Sequence, residues 1–230
     1  MIESGEAGLA FLLQTSDAMF PTGAYAHSLG MEEMIRAGHV FDEASLLAFL
    51  RRHILPAARR VDLPLAAWAH RAARQNDFAA LLETDGLAGA LRPARELRAA
   101  SLQTGRRRLA MLAAVRPAPL LREYQRAAEE SPHVGHHAPV WGAACAAVSL
   151  PAALTAYHYQ TLACFCAAAP KLLRIGQEAA QRVLTAALAE AGAAIEFAQR
   201  VERGDIGWFD PVLDIASMRH EIADERLFIS

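Results

Sequence analysis

The sequence predicts an all-α protein, a single large helical bundle-like domain over residues 1–230 with roughly nine to ten helices. Three observations predict it. Alanine, the strongest helix former, supplies 51 of 230 residues. Apolar positions recur near a 3.6-residue period through most of the chain. No stretch alternates polar and apolar residues for long enough to build a sheet. With 53% hydrophobic and 21% charged residues, a disordered or collagen-like chain is excluded.

Leu9, Leu12 and Leu13 make an apolar helical start, closed by the turn Phe20-Pro21-Thr22-Gly23. Thr22 is placed to cap a helix from Ala24 to Ala37, with Gly38 as its C-terminal stop. Asp42 caps a helix from Glu43 to about Leu55, whose Leu46, Leu47, Phe49, Leu50 and Ile54 face inward. Asp62, with Pro64 in the first turn, opens another through Trp68 and Ala72. Asp77 caps Phe78–Leu87. Pro93 starts a long basic helix that Gly105 is expected to disturb and Pro117 to end. Helices over Leu120–Glu130, Val140–Val148 and Ala152–Ala169 follow. The last long helix runs from Gly176 to Arg200, with Leu184, Leu188, Ala191, Ile195 and Ala198 in phase. Glu178/Arg182 and Glu196/Arg200 stand four apart along it, in the favourable acid-first order. Gly204 and Gly207 break the chain before an amphipathic tail, 208–230.

Lys plus Arg is 23 and Asp plus Glu is 25, a net charge of −2 that gives no global pull toward nucleic acid. Cys145, Cys164 and Cys166 form no CxxC pair and read as small core residues rather than a disulfide framework. The opening segment carries Glu3 and Glu6 and no basic residue, so it does not read as a signal peptide. From Ser131 to Pro170 there is no Asp, Glu, Lys or Arg. Pro139, Pro151 and the polar run Tyr157-His158-Tyr159-Gln160 interrupt that stretch, which reads as two helices buried in a bundle rather than a membrane span.

The sequence lacks a GxxxxGK[ST] phosphate loop, a GxGxxG turn, an HExxH pair and a GxSxG elbow. Two clusters remain. His133, His136 and His137 sit in one turn, and imidazoles suit nickel or zinc. Adjacent His136 and His137 need not point the same way, so the alternative is a loop-capping or packing role. From Arg92 to Arg126, nine arginines face only Glu96 and Glu123, a local excess of seven positive charges, densest at Arg106-Arg107-Arg108. Arginine forks suit carboxylates and phosphates. The face is open to three readings: solvated bundle surface, protein docking, or nucleic-acid binding, although Tyr124 alone supplies aromatic interleaving.

Two segments carry a resemblance. The first runs Leu12-Leu13-Gln14-Thr15-Ser16-Asp17-Ala18-Met19-Phe20-Pro21-Thr22-Gly23-Ala24-Tyr25-Ala26-His27-Ser28-Leu29-Gly30-Met31-Glu32. The second runs from Asp210 through Asp214-Ile215-Ala216-Ser217-Met218-Arg219-His220-Glu221 and closes with Arg226-Leu227-Phe228-Ile229-Ser230. Together these resemble the UreF family of urease accessory proteins, whose patterns LLQ…S…PxGxFxxSxGxE and DIxSMxHE…SRLFxS they match in order. Arg95-Glu96-Leu97-Arg98, Gly135-His136-His137-Ala138-Pro139-Val140-Trp141-Gly142 and Ile175-Gly176-Gln177 are further landmarks, so the resemblance spans almost the whole chain. Phe20, Tyr25 and Glu225 depart from the usual Leu, Phe and Ser; the first two keep apolar bulk.

The resemblance implies an all-helical, non-enzymatic, cytoplasmic protein that forms a homodimer and acts in nickel insertion. Family members bind UreD (UreH), which contacts apo-urease, and recruit the GTPase UreG. GTP, Mg²⁺ and nickel belong to that GTPase, with no intrinsic cofactor or catalytic residue expected here. A free-standing histidine-based nickel protein or metalloenzyme, and an Arg-face nucleic-acid binder, are the competing readings. The residues expected to carry docking are Pro21, Gly23, Tyr25, Ser28, Gly30 and Glu32 at one end. At the other are Asp214, Ser217, Met218, Arg219, His220, Glu221, Arg226, Leu227 and Phe228, with Arg106, Arg107 and Arg108 as the candidate face for UreG. In the tail, Ile215, Met218 and Ile222 make an i, i+3, i+7 apolar stripe.

Overall fold

Every regular element among the described residues, 5–229, of this computed structural model is helical. Glu3 of the opening segment and Ser230 of the closing motif lie outside the described residues. Helix α1 (Gly5–Ser16) leads through a loop and a single 3-10 turn (Ala24–Ala26) to α2 (Met31–Arg36). The continuous helix expected from Ala24 to Ala37 is thus broken. Leu29 and Gly30 adopt φ of 51° and 88°, a left-handed pair between one helical turn and the next. Thr22 Oγ1 accepts from the Ala24 amide at 3.4 Å and so supports only the short turn. Gly38, at φ 76°, ends α2 as expected.

A second departure is a fusion. Asp42 and Ser45 form a capping box at the start of α3 (Glu43–Phe49), but the helix does not stop near Leu55. It continues through a π turn (Leu50–Ile54), α4 (Leu55–Ala57), a second π turn (Ala58–Asp62) and α5 (Leu63–Arg74). Each π turn stands just before a proline, Pro56 or Pro64. Proline has no N–H, and its ring presses on the carbonyl four residues back; a widened turn accommodates both without ending the helix. The Arg60 carbonyl, which Pro64 cannot bond, accepts the Gly207 amide at 3.2 Å instead. Asp62 is therefore mid-helix and pairs with Arg92 rather than acting as a cap.

Helix α6 (Phe78–Ala90) starts as expected, with Asp77 accepting from the Ala80 amide at 2.9 Å. Helix α7 (Arg95–Val115) passes unbroken through Gly105. A Cβ at that position would collide with the Gly135 carbonyl oxygen, so the glycine permits close approach of a loop instead of disturbing the helix. Then come α8 (Pro119–Glu130), α9 (His137–Ala144) and α10 (Leu150–Leu172). The charge-free run forms α9 and α10, and no helix among the described residues is long and apolar enough to cross a membrane. The final long helix divides at Ala189–Glu190 into α11 (Gln177–Leu188) and α12 (Ala191–Arg200). There ψ relaxes to −1° at Glu190, whose carboxylate accepts from Arg51 at 3.1 Å. A 3-10 turn (Arg203–Asp205) precedes α13 (Pro211–Glu221).

Helix α10 serves two cores. Ala153, Leu154 and Tyr157 of its first half join α1, α5–α9 and α12; Leu162, Phe165, Cys166 and Ala169 of its second half join α2, α3 and α11. Trp141 of α9 is fully buried, and its Nε1 donates to the Ala153 carbonyl at 2.9 Å. Truncating that ring to alanine would cost about 3–5 kcal/mol. Helix α13 lies on the side of the second core, to which it adds Ala216 and the chain end adds Phe228.

Candidate functional site

The two segments that carry the resemblance meet in space. Gly30, left-handed, starts α2 where a Cβ would stand 3.0 Å from Leu213 Cδ1 of α13, so the missing side chain lets the two helices close. Asp210 caps α13, its Oδ1 accepting from the Val212 and Leu213 amides at 3.1 Å each. Its other oxygen lies 2.6 Å from His53 Nδ1, which anchors the start of α13 to the first π turn. The far end is held by His220, fully buried, with Nε2 3.1 Å from Glu32 and Nδ1 3.0 Å from Glu96 of α7. Glu32 also accepts the Leu227 and Phe228 amides at 2.8 and 3.0 Å, and the Ile229 amide donates to the Ala26 carbonyl at 2.9 Å. Arg226 stands 3.6 Å from Glu96, and Arg95 pairs with Glu221. Burial works to raise the Glu32 carboxyl, but the Leu227 amide, His220 and the Phe228 amide outweigh it and hold Glu32 below its ordinary value.

Held this way, α13 has its polarity reversed. Its inward face carries Ala216, Ser217 and His220, all buried. Its outward face carries Val212, Ile215 and Met218, close to half exposed, and Ile222, 82% exposed. Phe209, Leu227 and Ile229 extend the same exposed apolar character along the tail. The stripe expected from the sequence exists, but it points to solvent. Arg219 is exposed and Glu221 partly so, at the edge of that surface. A helix that buries its small and polar side while presenting aliphatic side chains to water has the composition of an interaction surface. Beneath it, Trp208, Asp210, Leu213 and Asp214 wall a cavity of about 200 Å³ that reaches His137, Tyr157, Gln160 and Cys164. Burial, with Asp210 nearby, pushes the Asp214 carboxyl up.

At the other end of the site, Pro21 is exposed and Ser28 fully buried. Gly23, at φ 75°, opens the 3-10 turn with the Arg107 side chain directly over it. Burial, with Cys164, Tyr159 and Asp17 alongside, pushes the Tyr25 phenol up to about 12. Cys145 and Cys166 are buried core residues as expected; Cys164 is partly exposed toward the cavity.

The histidine turn does structural work. A buried carboxylate that sequence reasoning missed, Asp85 of α6, accepts from the Gly135 and His136 amides at 3.0 and 2.8 Å and from the Tyr124 hydroxyl at 2.5 Å. His136 Nδ1 meets Ser101 Oγ at 3.1 Å, and the His137 ring packs on Trp141 and Tyr157. Burial, reinforced by Arg92, Arg106 and Arg98, lowers His136 to about 3; burial beside Arg108 and Arg92 holds His137 well below its ordinary value. His133 is exposed and separate, and among the described residues no three His, Cys, Asp or Glu groups converge on a point that would hold a metal ion. The three histidines thus face different environments, and His136 and His137 make loop-holding and packing contacts.

The arginine block is also divided. Arg106 donates to the Val134 and Ser131 carbonyls at 2.9 and 2.6 Å, and Arg107 is exposed. Arg108 is buried, donating to the Thr15 carbonyl and to Gln160 Oε1 at 3.0 Å each, with its guanidinium 4.4 Å from the Trp141 ring centre. Burial pulls it down to about 10, so it stays charged. Arg106, Arg107 and Arg108 therefore do not share one exposed face: Arg106 holds the 131–134 loop, Arg107 faces solvent and Arg108 lies in the core.

A UreF family model matches residues 40–188. The urease accessory protein UreF of Kocuria rhizophila is 31% identical over 237 residues, covering 100% of each chain. That of Methylobacterium radiotolerans is 38% identical over 213 residues, covering 92% of each. The chain belongs to the UreF family. The region matched by the UreF family model excludes both end segments, so the motifs there and the match are independent observations. The α2–α13 contact is where this UreF family member joins its two ends.

Proposed function

We propose that the chain is a non-catalytic, cytoplasmic scaffold of urease maturation, with its 208–230 tail as the docking segment. The exposed stripe of α13 binds UreD (UreH), which contacts apo-urease. The pair recruits the GTPase UreG, which brings GTP, Mg²⁺ and nickel. One observation supports this reading above the others: α13 is fixed to the body by its polar side, leaving Ile215, Met218 and Ile222 outward on a preformed helix. A preordered helix spends no ordering entropy on binding, and an apolar face of this kind fits a hydrophobic groove.

In this reading the protein is a homodimer. Leu9 and Leu13 of α1 and Tyr159 of α10 are exposed and uncharged, and an isologous contact favours such residues because each faces its own copy near the axis. Arg107, the exposed member of the block, is the remaining candidate contact to UreG.

The test is reconstitution. The intact chain mixed with UreD, UreG and apo-urease should recover all three partners, and the double variant Ile215→Asp/Met218→Asp should lose UreD and everything recruited through it. Recovery of UreD by the double variant at the wild-type level would refute tail docking.

A further inference from the structure

A neutral imidazole has one N–H and one lone pair, yet both ring nitrogens of His220 face carboxylate oxygens. In the neutral ring one of these contacts sets a lone pair against an anion. In the imidazolium both become charge-assisted hydrogen bonds. The carboxylates lie on opposite sides of the ring, Glu32 from α2 and Glu96 from α7, and both are largely buried, so water screens little of the difference. The other charged groups facing this point are Arg226 beside Glu96 and the Arg95–Glu221 pair. At the chain end, Lys171 of α10 stands 5.8 Å from the Phe228 ring centre. With His220 charged, the set Glu32, Glu96, His220 and Arg226 is balanced; with His220 neutral it carries one uncompensated negative charge.

We propose that His220 is a charge-dependent lock on the docking tail: its imidazolium clamps α13 to α2 and α7, and loss of the proton loosens α13 and the chain end. The lock regulates the surface assigned to UreD above and rests on that reading for its purpose. The effect has a definite sign. A protonated His220 holds both carboxylates, so attachment of the tail weakens as rising pH removes that proton. The Asp210–His53 contact at the opposite end of α13 leaves the helix tethered at its start, so the end bearing His220 is the one that lifts.

The experiment is amide hydrogen exchange on the full chain alone, from about pH 6 to about pH 8.5, corrected for intrinsic exchange. Protection of α13 should fall at least about tenfold relative to α10 across that range. Glu96→Gln should abolish the pH dependence while keeping the tail attached, because a neutral His220 can then donate to Glu32 and accept from the carboxamide N–H that the substitution introduces. Protection of α13 that stays constant in the wild type, or an unchanged pH dependence in the Glu96→Gln variant, would overturn the lock. Nitrogen NMR of the wild-type ring gives a second readout that needs no variant: both nitrogens protonated while the tail is protected supports the lock, and a neutral ring beneath a protected tail overturns it. No partner enters either measurement, so failure of the lock and failure of docking to UreD are separately visible.

Discussion

His220 Nε2 lies 3.1 Å from a Glu32 carboxylate oxygen, across 188 positions of chain. Few contacts join the ends of the sequence so directly, and the same carboxylate receives the Leu227 and Phe228 amides. The value of Glu32, held below its ordinary range, means that its share of stability is present above about 4.5 and fades as acid protonates it.

Glu32→Ala should therefore free residues 223–229 without unfolding the bundle. Limited proteolysis is expected to cut that segment faster in the variant, while the thermal transition of the helical core changes little. Glu32→Gln keeps one acceptor and should be intermediate.

Gly105→Ala separates two effects of opposite sign. Helix propensity alone favours alanine by about 1 kcal/mol, whereas overpacking typically costs about 1–3 kcal/mol. The obstacle is a backbone carbonyl, Gly135, which cannot rotate aside as a side chain does. Net destabilisation of up to about 2 kcal/mol is expected from denaturant titration; a stabilised variant would contradict the close approach.

The arginines of the basic block should respond unequally. Arg107→Glu is expected to change stability by no more than about 0.5 kcal/mol. Arg108→Ala strands the Thr15 carbonyl and Gln160 Oε1 and opens a void, a loss of about 2–4 kcal/mol. Equal effects in urea titrations would mean that Arg108 is not inside.

The buried histidines set the acid response. His136 is lowered from 6.5 to about 3 by burial and the Arg92, Arg106 and Arg98 charges, and His158 to about 4 by burial. Unfolded chains take up these protons first, so stability should decline as pH falls below about 6.5 toward those values. Each such histidine contributes a slope of up to about 1.4 kcal/mol per pH unit. His136→Asn should flatten the profile by about one proton when unfolding is followed from pH 7 to pH 4.5.

Much of the fold was legible because its signals are local. Asp42 and Asp77 each precede a periodic run and each caps it. Asp62 precedes one too, but π turns absorb Pro56 and Pro64, so two expected helices are one. The break at Ala189–Glu190 left no trace, since the apolar period continues across it. In the tail, the spacing of Ile215, Met218 and Ile222 revealed a stripe but not its direction. That direction depends on Glu32 and Glu96, which reach His220 from distant segments. Charge type was no guide to exposure either: Arg107 is outside and Arg108 inside, and Asp85 is buried because the 131–136 loop brings amides to it.

The most direct measurement is the affinity of UreD for this chain and for Met218→Asp, by calorimetry with both proteins purified. Met218 stands close to half exposed on the outward face of α13, so the variant should keep the wild-type helical fold. If the α13 stripe docks UreD, the Kd rises at least about tenfold, equivalent to about 1.4 kcal/mol. An unchanged Kd for a folded Met218→Asp protein would contradict that docking.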